Sequence, residues 1–193
     1  MIVELLVKNR MLRSIIRTAG CGRANDIFRK IGSFLSREEK ILDIGAGTCS
    51  VTELLREREF NVTPVDIKNL SAVDDIVPVI YDGDTLPFPN NSFDAALLLD
   101  VLHHARDPQR VLRESARVAP KIIVIENVHR GKLQKFLTVA MDRLTNLDFG
   151  SLNHKSDEGW KDIFSKLGLV LKEEHCSRFW LFFLSKMYLL RRR

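Results

Sequence analysis

The stretch ILDIGAGTCSVTELL, residues 41–55, constrains the fold of this chain more than any other. Its apolar run ends in Asp43, Gly45-Ala46-Gly47 follows, and an apolar-periodic run without proline comes next. This order predicts a buried strand over 41–44, a tight turn, and a helix over 50–59. Glycine lets the backbone approach a ligand closely, and the free N–H groups at the start of a helix bind anionic or polar groups. The segment is therefore typical of a nucleotide-type cofactor pocket in a parallel sheet.

Strand-like and helix-like segments alternate through the rest of the chain. Their apolar runs predict an α/β fold with a Rossmann-like, doubly wound and mostly parallel sheet. Pro78 favours either an edge position or the start of a strand at that point, because proline cannot donate to a sheet ladder. Further strands are predicted at 62–65, 77–81, 94–99, 121–127, 169–174 and 178–186, and helices at 107–118, 131–145 and 157–167.

The first 39 residues show no strand pattern. Apolar residues at helical spacing between Leu5 and Ile16 predict one helix, and a second is predicted over Ala24–Leu35. The 193 residues fit a single domain with a sizeable core. We expect residues 1–39 to form a helical cap in front of a cofactor-binding core at 40–193.

Charge and cysteine content narrow the function classes. A net charge of +5 and a pI near 9.2 are mild, and Arg191–Arg193 contribute three of the charges. No stripe of interleaved basic and aromatic residues is present, so no nucleic-acid partner is expected. Three widely spaced cysteines without a C-x-x-C pair favour the cytoplasm and give no metal or redox site.

The apolar C-terminal stretch 179–190 allows two interpretations. It is interrupted by Lys186 and is too short to cross a bilayer, which takes about 20 residues. As a helix, 178–193 would be an interfacial membrane anchor, whereas as a strand its apolar residues on both faces would place it inside the sheet. We favour the strand, and we expect 188–193 to remain free for weak contact with a membrane surface or a partner.

Further motifs follow the glycine turn. An NAD-binding turn reads G-x-G-x-x-G, but the third position falls on Ser50 here, which counts against a dehydrogenase. Asp66 ends the second predicted strand, where a carboxylate can accept hydrogen bonds from two ribose hydroxyls. Three more segments come next, DGDTLPFP at 82–89, SFD at 92–94 and LHH at 102–104.

Taken together, the DIGAGT, DGxxLPFPxxSFD and LHHxxDP motifs resemble class I S-adenosylmethionine-dependent methyltransferases, in the small-molecule branch related to quinone-biosynthesis methyltransferases. The resemblance covers residues 38–128 strongly and 150–176 weakly. It implies S-adenosylmethionine as the cofactor, a small-molecule acceptor, and an antiparallel final strand in the sheet. Cys49 departs from the pattern, because the family usually has a third glycine there.

The resemblance also assigns roles to side chains at the strand ends. Gly45 and Gly47 would back the methionine portion of the cofactor, Asp66 would take the ribose hydroxyls, and Asp82 with Gly83 would read the adenine edge. The alternative is that the Asp-Gly pair only forms a turn and has no part in binding. The full set of cofactor-binding candidates is Asp43, Gly45, Ala46, Gly47, Asp66, Ile67, Asp82, Gly83, Asp84 and Leu99.

Methyl transfer from a sulfonium depends on alignment more than on acid–base assistance. A base is needed only if the acceptor must lose a proton, so His104 and His103 are catalytic candidates rather than requirements. Adjacent histidines on a helix point apart and cannot jointly chelate one metal, so no metal is expected. A structural role stays open for both. His129 and His154 are further pocket candidates.

Other functions stay open beside a methyltransferase. A catalytically inactive S-adenosylmethionine-binding or partner module would fit a weakened glycine loop, and an RNA methyltransferase would fit the basic tail. If the position of Cys49 required a positive φ, its Cβ would strain the turn. We expect an ordinary helical residue instead, because Thr48, Ser50 or Thr52 can cap the helix.

Overall fold

A computed structural model describes residues 6–129, residues 131, 134, 136 and 139, residues 153–179 and residues 183–193. The helices are α1 (Arg10–Ile31), α2 (Ser50–Glu57), α3 (Pro108–Val118) and α4 (Asp157–Lys166), with a 3-10 turn over Gly32–Phe34. The strands are β1 (Lys40–Ile44), β2 (Asn61–Asp66), β3 (Val79–Ile80), β4 (Ala95–Leu99), β5 (Lys121–Val128), β6 (Leu169–Phe179) and β7 (Phe183–Arg192).

Within the described residues, these strands form one seven-stranded sheet in the order β3-β2-β1-β4-β5-β7-β6. Neighbours among β1 to β5 pair in parallel, whereas β7 runs antiparallel to both β5 and β6. The doubly wound, mostly parallel sheet with an antiparallel final strand is confirmed. β3 lies at the edge, as Pro78 predicted.

Both faces of the sheet are covered, which explains why the central strands are apolar throughout. On one face, Trp160 and Phe164 of α4 join alternate strand residues such as Leu98 and Val124. On the other face, α1 and α2 pack on the intervening strand residues, among them Leu97 and Ile123, through buried side chains that include Ile27, Ile31 and Leu55. The carboxyl ends of the five parallel strands meet at one edge between these layers.

The N-terminal prediction of two helices was wrong, because α1 runs unbroken from Arg10 to Ile31. Asn9 caps it, accepting hydrogen bonds from the backbone N–H groups of Met11 and Leu12. Gly20 does not interrupt α1. A Cβ at that position would overlap the side chain of Ser50, so glycine is what lets α1 lie against the start of α2.

The predicted strand at 178–186 was also wrong in its bounds. Strand β6 ends at Phe179 and β7 begins at Phe183, and the two pair antiparallel as a hairpin. Phe182, which the sequence placed inside a strand, lies outside the described residues, as does most of the helix predicted at 131–145. The other predicted strands and helices begin and end within two residues of the observed ones, except that β6 extends beyond residue 174.

The C-terminal residues are part of the sheet rather than free. Tyr188 and Leu190 are fully buried, and Leu190 pairs with Ile122 of β5. The guanidinium of Arg192 donates to Asn91 and to the carbonyl of Ala116. The expectation of a free segment at 188–193 was therefore wrong, and the interfacial-helix alternative is excluded by β7. No helix in the described part of the chain has the length and apolar character that spanning a membrane requires.

Candidate functional site

The turn after β1 lies at the carboxyl edge of the sheet and is built on glycine. Gly45 and Gly47 both have positive φ, at 72° and 52°. The N–H groups of Gly45 and Ala46 donate to the carbonyl of Val65 at 2.8 and 3.2 Å, which ties the turn to β2. A Cβ on Gly45 would run into the side chain of Val101. The turn therefore needs its glycines for both backbone conformation and space.

Cys49 also adopts the left-handed conformation, with φ 59° and ψ 16°, at the N-cap of α2. The expectation of an ordinary, side-chain-capped helical residue was wrong. Thr52 instead donates to Asp43, and the hydroxyls of Thr48 and Ser50 bond to each other at 3.0 Å. The thiol of Cys49 is buried, and burial raises its pKa to about 11, so it is not a reactive nucleophile.

The two acids at the ends of β1 and β2 have different surroundings. Asp66 accepts hydrogen bonds from the N–H groups of Gly47 at 2.8 Å and Lys68 at 3.2 Å. A carboxylate offers about four acceptor positions, so two remain for further donors. Asp43 is buried beneath the turn and accepts from Thr52 Oγ1 at 2.6 Å, and burial raises its pKa to about 6. Asp43 supports the turn from below, whereas Asp66 borders it.

Asp82 and Gly83 form a separate turn after β3. Asp82 Oδ1 accepts from the N–H groups of Thr85 at 2.9 Å and Asp84 at 2.8 Å, and these hydrogen bonds hold its pKa below the usual range. Gly83 has φ 85°, and a Cβ there would contact Ile67 at 3.2 Å. Ile67 itself is exposed. The structure thus brings Ile67 beside this turn, while the acid side chain serves the turn's own backbone.

Asp84 has a different partner, since it forms an ion pair with Arg110 at 3.3 Å.

The end of β4 holds a second residue in the left-handed conformation, Asp100, with φ 60°. Arg23 reaches it from α1, donating to Asp100 Oδ2 at 2.8 Å and to the carbonyl of Leu99 at 3.3 Å. The other oxygen, Oδ1, is buried and makes no hydrogen bond to another described residue. Sequence reasoning missed Arg23, because nothing in its local pattern indicates that it reaches β4.

A histidine cluster follows β4. His103 is buried, and its Nδ1 lies 2.6 Å from Glu126 Oε2, while Glu126 Oε1 accepts from the N–H of Leu102 at 2.7 Å. Burial raises the pKa of Glu126, and the neighbouring His103 opposes that shift. The ring of His103 stacks on that of His154 at 4.5 Å and packs at a tilt of 43° against that of His104 at 4.1 Å.

The structure therefore brings three predicted histidines together, and one of them, His103, contacts the buried carboxylate of Glu126. His103 and His104 lie in a turn between β4 and α3, not on a helix as expected. His129 follows the end of β5. The described residues contain no group of side chains arranged to hold a metal ion.

Residues 42–121 match the family model of a methyltransferase domain. The chain resembles the class I S-adenosylmethionine-dependent methyltransferases. A demethylmenaquinone methyltransferase of Corynebacterium glutamicum strain R is 38% identical to it over 84 residues, which are 42% of this chain and 36% of that protein. The chain thus matches little more than a third of the length of this curated relative.

Solved structures extend the likeness over most of the fold. An S-adenosylmethionine-dependent methyltransferase from Methanosarcina mazei superposes with a TM-score of 0.66 at 15% identity, covering 84% of this chain and 96% of that one. The [4+2]-cyclase SpnF superposes with a TM-score of 0.59 at 15% identity, covering 79% of this chain and 73% of that one. Such distant likenesses show the fold alone, and this fold hosts more than one reaction.

The likeness to methyltransferase domains implies S-adenosylmethionine as the cofactor, and the site fits it on three points of structure. The glycine turn is open beside Gly47, where a Cβ would meet only the carbonyl of Gly45, at 4.0 Å. Asp66 keeps acceptor positions beside that turn. The buried Oδ1 of Asp100 can accept from a cationic donor, which the ammonium end of the cofactor would provide.

Proposed function

We propose that this protein transfers the methyl group of S-adenosylmethionine to a small-molecule acceptor. The observation that carries the proposal is the glycine turn at positive φ, joined to Asp66 by the 2.8 Å hydrogen bond from Gly47, at the carboxyl edge of a parallel sheet. The methyltransferase domain at residues 42–121 supports it. The names of the curated relatives, demethylmenaquinone methyltransferases, support a small molecule as acceptor.

We propose a cofactor-binding role for each of the residues at this edge of the sheet. Gly45, Ala46 and Gly47 back the amino-acid portion of the cofactor, beside Leu99. Asp66 accepts from the ribose hydroxyls, and Ile67 with the turn of Asp82, Gly83 and Asp84 borders the adenine. Asp43 contributes indirectly, since its bond with Thr52 fixes the turn to α2.

The cofactor supplies an electrophilic methyl group on a positively charged sulfur. The chain's own task is to align the acceptor with that group and to take up a proton where the acceptor has one to lose. His104 is only partly buried, whereas His103 is enclosed between Glu126 and two other rings. We therefore assign contact with the acceptor to His104. His103 and Glu126 form the buried support behind it.

Calorimetric titration tests the cofactor assignment directly. The purified protein is expected to bind S-adenosylmethionine or its demethylated product in preference to NAD. Asp66→Ala should weaken that binding by about 1.5–3 kcal/mol, the range for hydrogen bonds to a charged group. Asp162→Ala is the matched control, because Asp162 forms an ion pair with Lys166 on the exposed face of α4. Binding of NAD without S-adenosylmethionine would contradict the proposal.

Transfer itself is measured with methyl-labelled S-adenosylmethionine and a panel of small phenols, hydroquinones and amines. Label is expected in at least one of these compounds. Tight cofactor binding with no labelled product across the panel would instead favour the inactive cofactor-binding module.

We also infer that the protein acts in the cytoplasm. Cys21, Cys49 and Cys176 are all free thiols, and two of them are exposed, as is usual where the surroundings keep thiols reduced.

A further inference from the structure

The segment just before α4 lies against the histidine turn. Asn153 makes two hydrogen bonds there. Its backbone N–H donates to the carbonyl of His103 at 2.7 Å, and its side-chain Nδ2 donates to the carbonyl of Ala105 at 2.7 Å. These two carbonyls flank His104 on either side. One residue therefore binds the carbonyls of both sequence neighbours of the histidine that we place against the acceptor.

The turn that carries His104 is partly held by its own hydrogen bonds, since the N–H groups of His104 and Ala105 donate to the carbonyls of Val101 and Leu102 at 3.0 and 3.2 Å. The carbonyls of His103 and Ala105 need donors from elsewhere, and Asn153 provides both. The bond to His103 restrains the peptide group before His104, the turn's own bond from Ala105 restrains the one after it, and the bond to the Ala105 carbonyl holds the end of the turn. These bonds, together with the tilted packing of the His104 ring on that of His103 at 4.1 Å, restrain the direction of the side chain.

Asn153 is itself held from the other side by α4. Ser156 caps this helix by accepting from the N–H of Gly159 at 3.2 Å. Asp157 accepts from the hydroxyl of Tyr188 at 2.8 Å and from Lys186 at 2.5 Å, which ties the first turn of α4 to β7. Trp160 is fully buried beneath the same helix. Only three residues, 154–156, separate Asn153 from this anchored helix.

We propose that Asn153 is the positioning residue for His104: it transmits the fixed placement of α4 to the turn that presents the histidine. The inference rests on the proposed function for the role of His104, but the positioning is a property of the protein alone. It can therefore be tested without cofactor or acceptor, so its failure is distinguishable from failure of the methyltransferase proposal.

The test is nuclear magnetic resonance of the histidine rings in the unliganded protein, with each signal assigned. Asn153→Ala removes the bond to Ala105, and Asn153→Asp keeps the size of the side chain while placing an acceptor against that carbonyl. Both variants should shift and broaden the ring signals of His104. The signals of His175, which is exposed on β6, should stay in place. Affinity for S-adenosylmethionine, measured by calorimetry, should be unchanged.

Asn90→Ala is the matched control. Asn90 also makes a side-chain hydrogen bond, accepting from Arg117 at 3.0 Å, but it lies where β4 begins, at the opposite edge of the sheet. This variant should leave His104 unmoved. The proposal is overturned if His104 keeps its wild-type signals in both Asn153 variants, or if His104 and His175 shift alike. It is equally overturned if neither Asn153 variant folds while Asn90→Ala does, since Asn153 would then serve stability alone.

Discussion

At the level of single residues, the backbone of Cys49 carries strain within the cofactor turn. Its φ of 59° belongs to the left-handed region, where a residue with a Cβ costs about 1–2 kcal/mol. Its side chain is fully buried and packs with Val73 and Ile76. Simple replacement by glycine would therefore mix relief of strain with loss of packing, so the two effects must be separated.

A pair of variants makes that separation. Cys49→Ala and Cys49→Gly both remove the buried thiol, but only glycine accepts the positive φ without strain. We expect Cys49→Gly to be more stable than Cys49→Ala by about 1 kcal/mol in urea unfolding. At a regular helical position the order reverses, because alanine is then favoured over glycine by about 0.5–1 kcal/mol. A more stable alanine variant would thus place Cys49 in ordinary helical geometry.

At the level of elements, β7 decides how the C-terminus contributes to stability. It lies between β5 and β6 and pairs with both along its length. Met187 and Leu189 pack on the face of α1 and α2, while Tyr188 and Leu190 pack on the face of α3 and α4. The strand therefore joins the two layers of the core as well as completing the sheet.

Deletion of residues 190–193 should consequently destabilise the protein. Truncating a buried leucine alone costs about 2–5 kcal/mol, so Leu190→Ala should already lower the thermal midpoint clearly. Arg193→Ala serves as the control, because Arg193 is exposed beyond the end of β7 and its loss should change little. Thermal unfolding followed by circular dichroism measures all three. A deletion variant that melts like the wild type would contradict the placement of Leu190 in the core.

At the level of the whole molecule, the carboxyl edge of the sheet concentrates buried acids. Asp43 and Glu126 are both enclosed there, and burial raises the pKa of each. A raised pKa means that the folded state holds the proton more tightly than the unfolded chain does. Each acid therefore stabilises the fold most when protonated, and this contribution is lost as the pH rises through the folded-state pKa.

Asp43 allows this effect to be measured, since its pKa rises from an ordinary value of 3.8 to about 6. The difference corresponds to about 3 kcal/mol of unfolding free energy, lost between pH 4 and 6. Asp43→Asn keeps an oxygen for Thr52 but cannot titrate. Its stability relative to the wild type should thus increase from pH 4 to 6 and stay level above that. If the stability difference between Asp43→Asn and the wild type did not change with pH, the pKa of Asp43 would not be raised in the folded state.

Local pattern was enough to predict most of this architecture. The strand, glycine turn and helix at 41–55 are adjacent in sequence, and apolar periodicity reflects burial directly. Pro78 directly precedes β3, which lies at the edge of the sheet, and both facts agree with a residue that cannot donate to a sheet ladder. The resemblance to methyltransferases likewise rests on short motifs, which keep their spacing along the chain.

Tertiary structure decided what depends on residues distant in the chain. The sequence predicted two N-terminal helices, whereas α1 is one helix that lies against α2 where Gly20 meets Ser50. The positive φ of Cys49 follows from how α2 leaves β1, which its side chain does not reveal. Glu126 and His154 reach His103 only because β5 and α4 are placed beside the turn after β4. Hydrogen bonds and ring stacking act over a few ångströms, so only the folded chain determines which distant side chains come within that range.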